Sequence, residues 1–467
     1  MPVSQDWATA PAAAIAGGVA SGAVSARAVV AASLERIGRI DPAVNSFTDV
    51  LAGRALARAE AVDAALARGE APGPLCGVPF AVKNLFDVAG LTTRAGSRIN
   101  RERAPAARDA ALIRRLEGAG AVLVGALNMG EYAYDFTGEN IHDGDTHNPH
   151  DLSRMAGGSS GGSGGAVAAG LVPLALASDT NGSIRVPAAF CGCFGLKPTY
   201  GRTSRAGSFP FVGSLDHLGP MARSVTDLAL AFDAMQGPDS DDPACAKRPA
   251  EPALPGLEDG IGGLRIAAAG GYFTRSGEPE AFAAVAKVAG ALDVSRVVEL
   301  PEAARARAAA YLISAAEGAS LHLDRLRHRA AEFDPAVRDR LLAGAMLPAT
   351  FIERAQRFRR WYRAAMLDLF EEVDVILAPT TPCRAPRGGQ TTFLLDGVEF
   401  PLRPNIGLYT QPISFIGLPV VAVPVWPDDG LPLGVQVIAA PWREDVALRV
   451  ARHLEREGVV RAPIARL

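Results

Sequence analysis

The sequence has few cysteines, almost no net charge and no long hydrophobic run. Five cysteines in 467 residues, an odd number without metal-type spacing, indicate a reducing compartment rather than a disulfide-stapled secreted chain. The 47 Lys and Arg against 50 Asp and Glu leave a net charge of −3, which offers no electrostatic attraction to nucleic acid or to an anionic membrane. The most apolar long stretch, residues 164–178, is too short for a membrane span and contains Pro173.

The N-terminus also lacks the basic region of a secretory signal, because Asp6 stands there. The Ala-rich start continues instead into the amphipathic pattern of a surface helix, which Ser25 is placed to cap. We therefore predict a cytoplasmic protein without a membrane anchor. A hydrophobic content of 49% excludes general disorder, and the 49 Gly and 34 Pro indicate many tight turns.

Apolar strand patterns alternate with helical patterns over much of the chain, which predicts an α/β fold with helices on both faces of a sheet. A helical segment occupies about residues 1–70, and a core of alternating elements follows at about 71–237. A charged, variable helical region spans about 240–370, and strand patterns return at about 371–467. Within the first segment, residues 44–67 carry one helical pattern.

The densest chemical signal is residues 157–165, which contain six glycines and three serines. Such a composition favours neither helix nor strand, and we predict a loop whose backbone N–H groups and hydroxyls approach a ligand, followed by a helix at 166–170. A flexible linker is disfavoured because apolar helix and strand patterns follow directly. The lysine of a phosphate-binding loop and the acidic residue of a dinucleotide fingerprint are both absent.

A second signal lies at residues 178–187, where a strand is expected to end in a tight polar turn that presents Ser183. Successive backbone N–H groups in such a turn can form an oxyanion hole. A serine nucleophile needs a proton acceptor, and the histidines near these loops in sequence are few. The G-x-S-x-G elbow is absent around Ser183, so a Ser–Lys arrangement stands beside a Ser–His arrangement as the alternative to test.

Lys83 ends the short apolar stretch Val78–Val82 and is the lysine that such an arrangement requires. A lysine there is either a surface residue with a buried stem or a buried base. A free lysine has a pKa of about 10.4, so catalysis near pH 7 requires burial or a neighbouring positive charge to lower that pKa. Arg185 is a candidate source of that charge.

Several segments together resemble the amidase signature family. The matching segments are residues 77–84, 157–163, 179–189, 194–202, 377–382 and 417–419, so the resemblance covers most of the chain and is weakest at about 240–370. It implies one large amidase domain over residues 1–467 with a mixed central sheet, and no cofactor. It also implies a triad in which Ser183 is the nucleophile, Ser159 the bridging serine in a cis peptide, and Lys83 the base.

In the same resemblance the oxyanion hole consists of the backbone N–H groups of Thr180, Asn181, Gly182 and Ser183. This sequence has Asn181-Gly182-Ser183 where the family commonly has Gly-Gly-Ser. Because the oxyanion contact comes from the backbone, activity is expected to survive, and the Asn181 side chain is placed to touch substrate.

Four further segments look like those of the amidases of s-triazine and cyanuric acid breakdown, whose substrate is the ureido acid 1-carboxybiuret. They are residues 132–140, 147–151, 216–220 and 409–414. We therefore expect a small, polar, anionic amide or ureide as substrate and ammonia as a product. The candidate substrate-binding residues are Tyr134, His142, Arg185, His217 and Gln411. A metal site is not expected, because the histidines have no regular ligand spacing.

Other members of the family remain alternatives. The A-type chain of an aminoacyl-tRNA amidotransferase shares the triad, although the present chain's own charge disfavours direct contact with nucleic acid. Three further alternatives share the fold. One is a general small-amide amidase. A catalytically inactive interaction protein is disfavoured by the intact triad, and a membrane-bound fatty amide hydrolase is disfavoured by the lack of a membrane helix. By analogy with related amidases, we expect a homo- or hetero-oligomer and a small helical accessory subunit.

Overall fold

A mixed β-sheet of eleven strands organises the chain in the structure, a computed structural model that describes residues 6–427 and 430–467. The strand order is β1-β3-β2-β6-β8-β7-β14-β15-β11-β9-β10, and two separate hairpins are formed by β4 with β5 and by β12 with β13. The strands are β1 (Phe47–Val50), β2 (Pro79–Lys83), β3 (Val122–Leu127), β4 (His147–Asn148), β5 (Asp151–Met155), β6 (Leu174–Asp179), β7 (Phe194–Lys197), β8 (His217–Ala222), β9 (Ile266–Ala269), β10 (Val297–Val298), β11 (Val375–Pro379), β12 (Thr392–Leu395), β13 (Val398–Pro401), β14 (Val420–Val425) and β15 (Leu433–Ala439).

Helices cover both faces of this sheet, as the alternating pattern predicts. They are α1 (Ala12–Ala20), α2 (Ala26–Val44), α3 (Ala52–Ala67), α4 (Ala111–Gly118), α5 (Gly161–Ala168), α6 (Arg185–Cys191), α7 (Val225–Met235), α8 (Pro279–Ala291), α9 (Ala303–Arg329), α10 (Pro335–Ala345), α11 (Ala349–Glu372), α12 (Leu402–Asn405), α13 (Gln411–Ser414) and α14 (Glu444–Arg456). Because helices lie on both faces, every residue of β2, β3, β6, β14 and β15 is buried. No helix in the described ranges is both long and apolar enough to cross a bilayer.

Strands β2, β6 and β7 run in the same direction. β2 pairs parallel with β6, and β8 lies antiparallel to both β6 and β7. Their carboxyl ends therefore meet at one edge of the sheet, the edge at which open α/β sheets bind ligands. Lys83 ends β2, Asp179 ends β6 and Lys197 ends β7 at this edge.

The glycine-rich passage is only partly a loop, because its second half forms helix α5. The prediction of a continuous loop, with a helix only from residue 166, is wrong there. The reason is packing: a Cβ built on Gly162 would lie 2.5 Å from the Ser46 carbonyl oxygen, and one on Gly165 would lie 2.6 Å from the Ser46 hydroxyl. Glycine is required for this close approach, and burial of the whole helix offsets its low helix propensity.

The predicted single helix over residues 44–67 is interrupted by a strand. Asn45 ends α2 in the left-handed conformation, with φ of 57°. The chain then forms β1, which pairs antiparallel with β3 at the edge of the sheet, before α3 begins at Ala52. The predicted cap of α2 is confirmed, since the Ser25 hydroxyl accepts a hydrogen bond from the Ala28 N–H at 3.1 Å.

Candidate active site

Lys83 is fully buried and its ammonium nitrogen faces three serine hydroxyls. The distances from Nζ are 2.6 Å to Ser159 Oγ, 2.9 Å to Ser178 Oγ and 3.0 Å to Ser160 Oγ. Burial lowers the pKa of Lys83 to about 7, although the nearby carboxylates of Asp179, Asp216 and Asp135 oppose the shift. A substantial fraction of this lysine is therefore neutral near pH 7 and able to accept a proton.

Ser159 is held against Lys83 by a loop that is bonded to the segment 130–138. The Gly158–Ser159 peptide bond is cis, as the family resemblance implies. The Ser159 carbonyl accepts a hydrogen bond from the Gly130 N–H at 3.1 Å, and the Gly158 N–H donates to the Phe136 carbonyl at 2.9 Å. A Cβ on Gly158 would lie 2.3 Å from an Asp135 carboxylate oxygen, so the close contact of the two loops requires glycine there.

Ser183 lies in a tight turn between β6 and α6, at the same sheet edge. Gly182 has a φ of 145°, and a Cβ on it would lie 2.3 Å from Thr410 Oγ1. Thr410 Oγ1 also donates to the Asn181 carbonyl at 2.6 Å, and the Val186 N–H donates to the Gly182 carbonyl at 2.7 Å. These contacts fix the carbonyl groups of Asn181 and Gly182. The N–H groups of the same peptide units point in the opposite direction.

The amide groups of this turn have no acceptor within the described ranges. The N–H groups of Asn181, Gly182 and Ser183 make no hydrogen bond to residues 6–427 or 430–467. Thr180 is held beside them, because its hydroxyl donates to Asp216 Oδ1 at 2.6 Å. Consecutive amides with unsatisfied donors are the arrangement that stabilises an oxyanion.

Arg185 lies behind the turn rather than in front of it. It is fully buried and forms an ion pair with Asp179, with 2.9 Å between Nε and Oδ2. Its other donors reach the Thr410 carbonyl at 3.1 Å, Gln436 Oε1 at 2.7 Å and the Ser414 hydroxyl. Burial alone would raise the pKa of Asp179, but Arg185 holds it well below its usual range, so the pair is charged and structural.

The two histidines that the sequence suggested for substrate binding also lie outside the cavity at Ser183. The His217 ring contacts the Asp179 carbonyl through Nδ1 at 3.0 Å, and burial lowers its pKa well below 6.5, so it is neutral near pH 7. The His142 ring contacts Glu131 through Nε2, with 2.9 Å to Oε1. Neither histidine lines the cavity in which an anionic substrate would bind.

A narrow cavity opens onto Ser183 between the turn and the helical region. Tyr134 and Gln411 of the predicted substrate residues lie on it, together with Thr180 and Asn181. The rest of the lining consists of Ala133, Asp135, Phe136, Phe211, Tyr311, Ser314, Arg340 and Pro404. Its volume in this conformation is about 20 Å³.

Arg340 on α10 is the lining residue that sequence reasoning missed. Its guanidinium lies over the Tyr134 ring, 3.8 Å from the centroid, and donates to the Tyr134 carbonyl. Within the described ranges it has no acidic partner at salt-bridge distance, so it is an uncompensated cation on the cavity. No sequence signal identifies it, because residues 303–370 contain many arginines and only tertiary packing brings one of them to Ser183.

Asn181 and Ser314 join the turn to α9. The Asn181 amide group donates to Ser314 Oγ at 2.8 Å. The Asn181 Oδ1 atom is buried and has no hydrogen-bond partner among the residues described. An unsatisfied acceptor on the cavity is able to accept an N–H group from a ligand. No cluster of three or more potential metal ligands occurs in the part of the chain that the structure describes.

Comparisons with known proteins agree on one family. The family model described as Amidase matches residues 28–448. AtzE of Pseudomonas sp. (strain ADP), a subunit of 1-carboxybiuret hydrolase, is 54% identical over 446 residues, which cover 95% of this chain and 98% of that protein. The A chain of the glutamyl-tRNA(Gln) amidotransferase of Roseiflexus castenholzii (strain DSM 13941 / HLO8) is 38% identical over 470 residues and 94% of each chain.

The solved structures give the same result. One, described as a vestigial protein complex that reveals the evolutionary origins of an s-triazine catabolic enzyme, superposes with a TM-score of 0.96. It is 53% identical in sequence and covers 97% of this chain and 100% of its own. The eleven-stranded mixed sheet and its helical layers are therefore shared with a protein of known structure.

Proposed function

The chain belongs to the amidase signature family, and from that premise we propose that it hydrolyses the terminal amide of a small anionic ureido acid such as 1-carboxybiuret. Hydrolysis of an amide C–N bond is the activity of the family and of this chain. The observation that carries the proposal is Lys83 Nζ at 2.6 Å from Ser159 Oγ, at the sheet edge where Ser183 faces a cavity. The 54% identity to AtzE supports the choice of substrate.

In the proposed mechanism, neutral Lys83 accepts the Ser159 hydroxyl proton while Ser159 takes the proton of Ser183. Ser183 Oγ then forms a bond to the amide carbon, and the oxyanion is stabilised by the free N–H groups of residues 181–183. The proton returns through Ser159 to the amide nitrogen, so that the C–N bond breaks with ammonia rather than an amide anion as the leaving group. The product of this half-reaction is an acyl ester on Ser183.

The second half-reaction repeats the first with water. Lys83, neutral again, draws a proton from water through Ser159, and the hydroxyl oxygen attacks the ester carbon. The C–O bond to Ser183 breaks, and Ser183 recovers its proton. The acid product leaves, and no cofactor takes part in either step.

The proposed substrate recognition uses the polar groups on the cavity. The Arg340 guanidinium binds the substrate carboxylate, since it has a free charge and lies on the cavity with Ser183. Asn181 Oδ1 accepts a ureido N–H, because it is buried there without a partner among the residues described. Tyr134 and Gln411 complete the polar lining. Arg185, His142 and His217 have no role in this scheme, since none of them lines the cavity.

One alternative has a specific observation in its favour. The 38% identity to the A chain of a glutamyl-tRNA(Gln) amidotransferase extends over 94% of both chains. Glutamine also combines a terminal amide with a carboxylate, so Arg340 alone does not distinguish it from a ureido acid. A purified chain that releases ammonia from glutamine faster than from 1-carboxybiuret, with or without tRNA, would favour this alternative.

A small accessory protein is part of the proposal. The similar solved structure is described as a protein complex. We propose that this chain also binds a small helical partner. Activity of the chain purified alone, measured before and after addition of the corresponding small protein, tests this step separately from the chemistry.

The deciding experiment compares kcat/KM for 1-carboxybiuret, short neutral amides, glutamine and long-chain fatty amides. We expect the ureido acid to be preferred and Ser183→Ala to abolish its hydrolysis. Arg340→Met should weaken use of the anionic substrate by about 10–100-fold, mostly through KM, and Arg340→Lys should recover part of that loss. Equal effects of Arg340→Met on a neutral amide would contradict the carboxylate contact and leave the nucleophile assignment intact.

A further inference from the structure

Gln411 begins α13 and lines the cavity at Ser183, and only one end of its side-chain amide is bonded to the protein. Its Oε1 atom accepts a hydrogen bond from Arg307 Nε at 2.9 Å. Its Nε2 group has no acceptor among the described residues. The residue is only 2% exposed, so little water reaches these two N–H donors. A buried donor without an acceptor costs free energy, and a ligand in the cavity is the group that can supply the acceptor.

Arg307, on α9, decides which end of this amide stays free. A guanidinium group has hydrogen-bond donors and no acceptor, so the amide atom beside it must be the oxygen. Arg307 is held in place by two more acceptors, since its Nη2 donates to the Pro404 carbonyl at 2.9 Å and to Asn405 Oδ1 at 2.7 Å. All three acceptors are uncharged, and no carboxylate lies at salt-bridge distance from Arg307 in the described part of the chain. No acid therefore competes with Gln411 for this guanidinium.

Asn181, on the same cavity, has the opposite orientation. Its amide nitrogen donates to Ser314 Oγ at 2.8 Å, and its buried Oδ1 has no partner among the residues described. The cavity therefore offers one free amide oxygen from Asn181 and one free amide nitrogen from Gln411. These are the acceptor and the donor that the N–H and the carbonyl of a ureide group require. An amide with a single carbonyl has no oxygen left for Gln411 once its own oxygen occupies the oxyanion hole.

We propose that Arg307 is a positioning residue for the reaction and that it acts through Gln411. It holds the Gln411 oxygen away from the cavity, so that Nε2 donates to the second carbonyl oxygen of the substrate, the one that Ser183 does not attack. Arg307 itself does not line the cavity. This inference rests on the proposed function, because it requires a substrate with a second carbonyl group. It adds a selection for ureides to the selection for a carboxylate that Arg340 provides.

The expected effect of removing Arg307 is a loss of selectivity. In Arg307→Met the Gln411 amide is free to turn its oxygen toward the cavity, where it faces the carbonyl oxygen of the substrate instead of donating to it. We expect KM for 1-carboxybiuret to rise about 5–20-fold with little change in kcat. The ratio of its kcat/KM to that of a short amide with one carbonyl should fall by the same factor. Arg307→Lys keeps a donor beside Gln411 Oε1 and should recover part of the loss.

A double-mutant cycle tests whether Arg307 acts through Gln411. Gln411→Ala should raise KM for 1-carboxybiuret about 5–20-fold, and the addition of Arg307→Met should then change KM less than about twofold. Gln411→Glu should raise KM more than Gln411→Ala, because a carboxylate pairs with Arg307 but presents only acceptors and a negative charge to the substrate. Arg305→Met is the matched control, since it removes an arginine of α9 that lies 3.5 Å from the exposed Glu302 carboxylate. Its KM should stay within about twofold of the wild type.

Two results would overturn the proposal. One is a pair of losses that add in the double variant, and the other is an equal loss for the short amide and for 1-carboxybiuret, as general damage to the fold would produce. Failure of the proposed function is a separate outcome. A wild-type chain that prefers glutamine or a neutral amide would remove the ureido acid as substrate, and the same cycle on the preferred substrate still decides whether Arg307 acts through Gln411.

Discussion

Two lysines are buried at the same edge of the sheet, and only one of them faces serine hydroxyls. Lys83 ends β2 and Lys197 ends β7, both are fully buried, and burial lowers the pKa of each to about 7. Lys83 Nζ lies within 3.0 Å of three hydroxyls. Lys197 Nζ donates to the Pro198 carbonyl at 3.1 Å and has no hydroxyl partner among the described residues.

The difference separates proton affinity from catalytic geometry. A lowered pKa makes a lysine able to accept a proton near pH 7, and both lysines have that property. Only Lys83 touches serine hydroxyls, among them the Ser159 hydroxyl that carries the proton of Ser183 in the proposed mechanism. Lys197 lies instead near the buried charges of Arg185, Asp179 and Glu444. A perturbed pKa therefore marks a candidate site, and the hydrogen-bond partner decides the role.

The largest expected effect separates the two lysines directly. Lys83→Met should lower kcat by about 10²–10⁴-fold, because it removes the proposed base. Lys197→Met should keep activity within about tenfold of the wild type, because no reacting group contacts Lys197. Steady-state hydrolysis of one ureido acid and one neutral amide measures both variants. A comparable fall in kcat in both variants would contradict the distinction between the two lysines. The buried charges around Lys197 would then take part in the reaction.

The next effect sharpens the comparison within the Lys83 pocket. Ser159→Ala should cost about 10²–10³-fold in kcat, because it interrupts the proposed proton path to Ser183. Ser160→Ala is the matched control, since Ser160 also contacts Lys83 but its hydroxyl donates to the Ser178 carbonyl at 3.2 Å. We expect it to lose no more than about tenfold. If Ser160→Ala lowered kcat more than Ser159→Ala did, Ser160 would be the bridging serine.

Much of this site follows from sequence, and the rest depends on packing. Lys83 ends an apolar stretch and Ser183 follows another, so strand patterns alone place both at one sheet edge. Arg185 was expected to touch substrate because an anionic substrate needs a cationic partner, but it is buried in an ion pair with Asp179. Arg340 was missed because helical periodicity does not say which arginine of residues 303–370 reaches a cavity built by α9, α10 and the segment 133–136.

The helix α5 shows the same limit for the fold. Its glycines predict a loop by propensity. They are required because neighbouring segments lie too close for a side chain, and burial of the whole helix offsets their low helix propensity. That information resides in Ser46 and Asn128, which are distant in sequence. Local pattern therefore predicts the order of strands and helices better than it predicts where segments from different parts of the chain approach each other.

The pH dependence of kcat/KM tests which of the two lysines must be neutral for the reaction. Below pH 7, kcat/KM should fall about tenfold per pH unit, because protonation of Lys83, whose pKa is about 7, removes the base. Activity should rise through pH 7 and then level off. Lys197→Met should show the same acid limb as the wild type. Loss of that limb in Lys197→Met would assign the titration to Lys197 and contradict the role given to Lys83.

The smallest effect concerns stability, where the two lysines should behave alike. Each has an ordinary pKa of 10.5 when unfolded and about 7 when folded. Between these two pKa values the unfolded chain binds a proton at each lysine that the folded chain lacks, so the free energy of unfolding rises with pH from about 7 to 10.5. Below pH 7 each lysine is protonated in both states, and the full cost of burying its charge lowers the free energy of unfolding. Each contributes up to about 1.4 kcal/mol per pH unit to that slope. Urea unfolding at about pH 7.5 and about pH 9.5 should therefore show a smaller rise for Lys83→Met and for Lys197→Met than for the wild type, by similar amounts. If only Lys83→Met flattened the slope, Lys197 would be charged in the folded state, and the two sites would differ in electrostatics as well as in geometry.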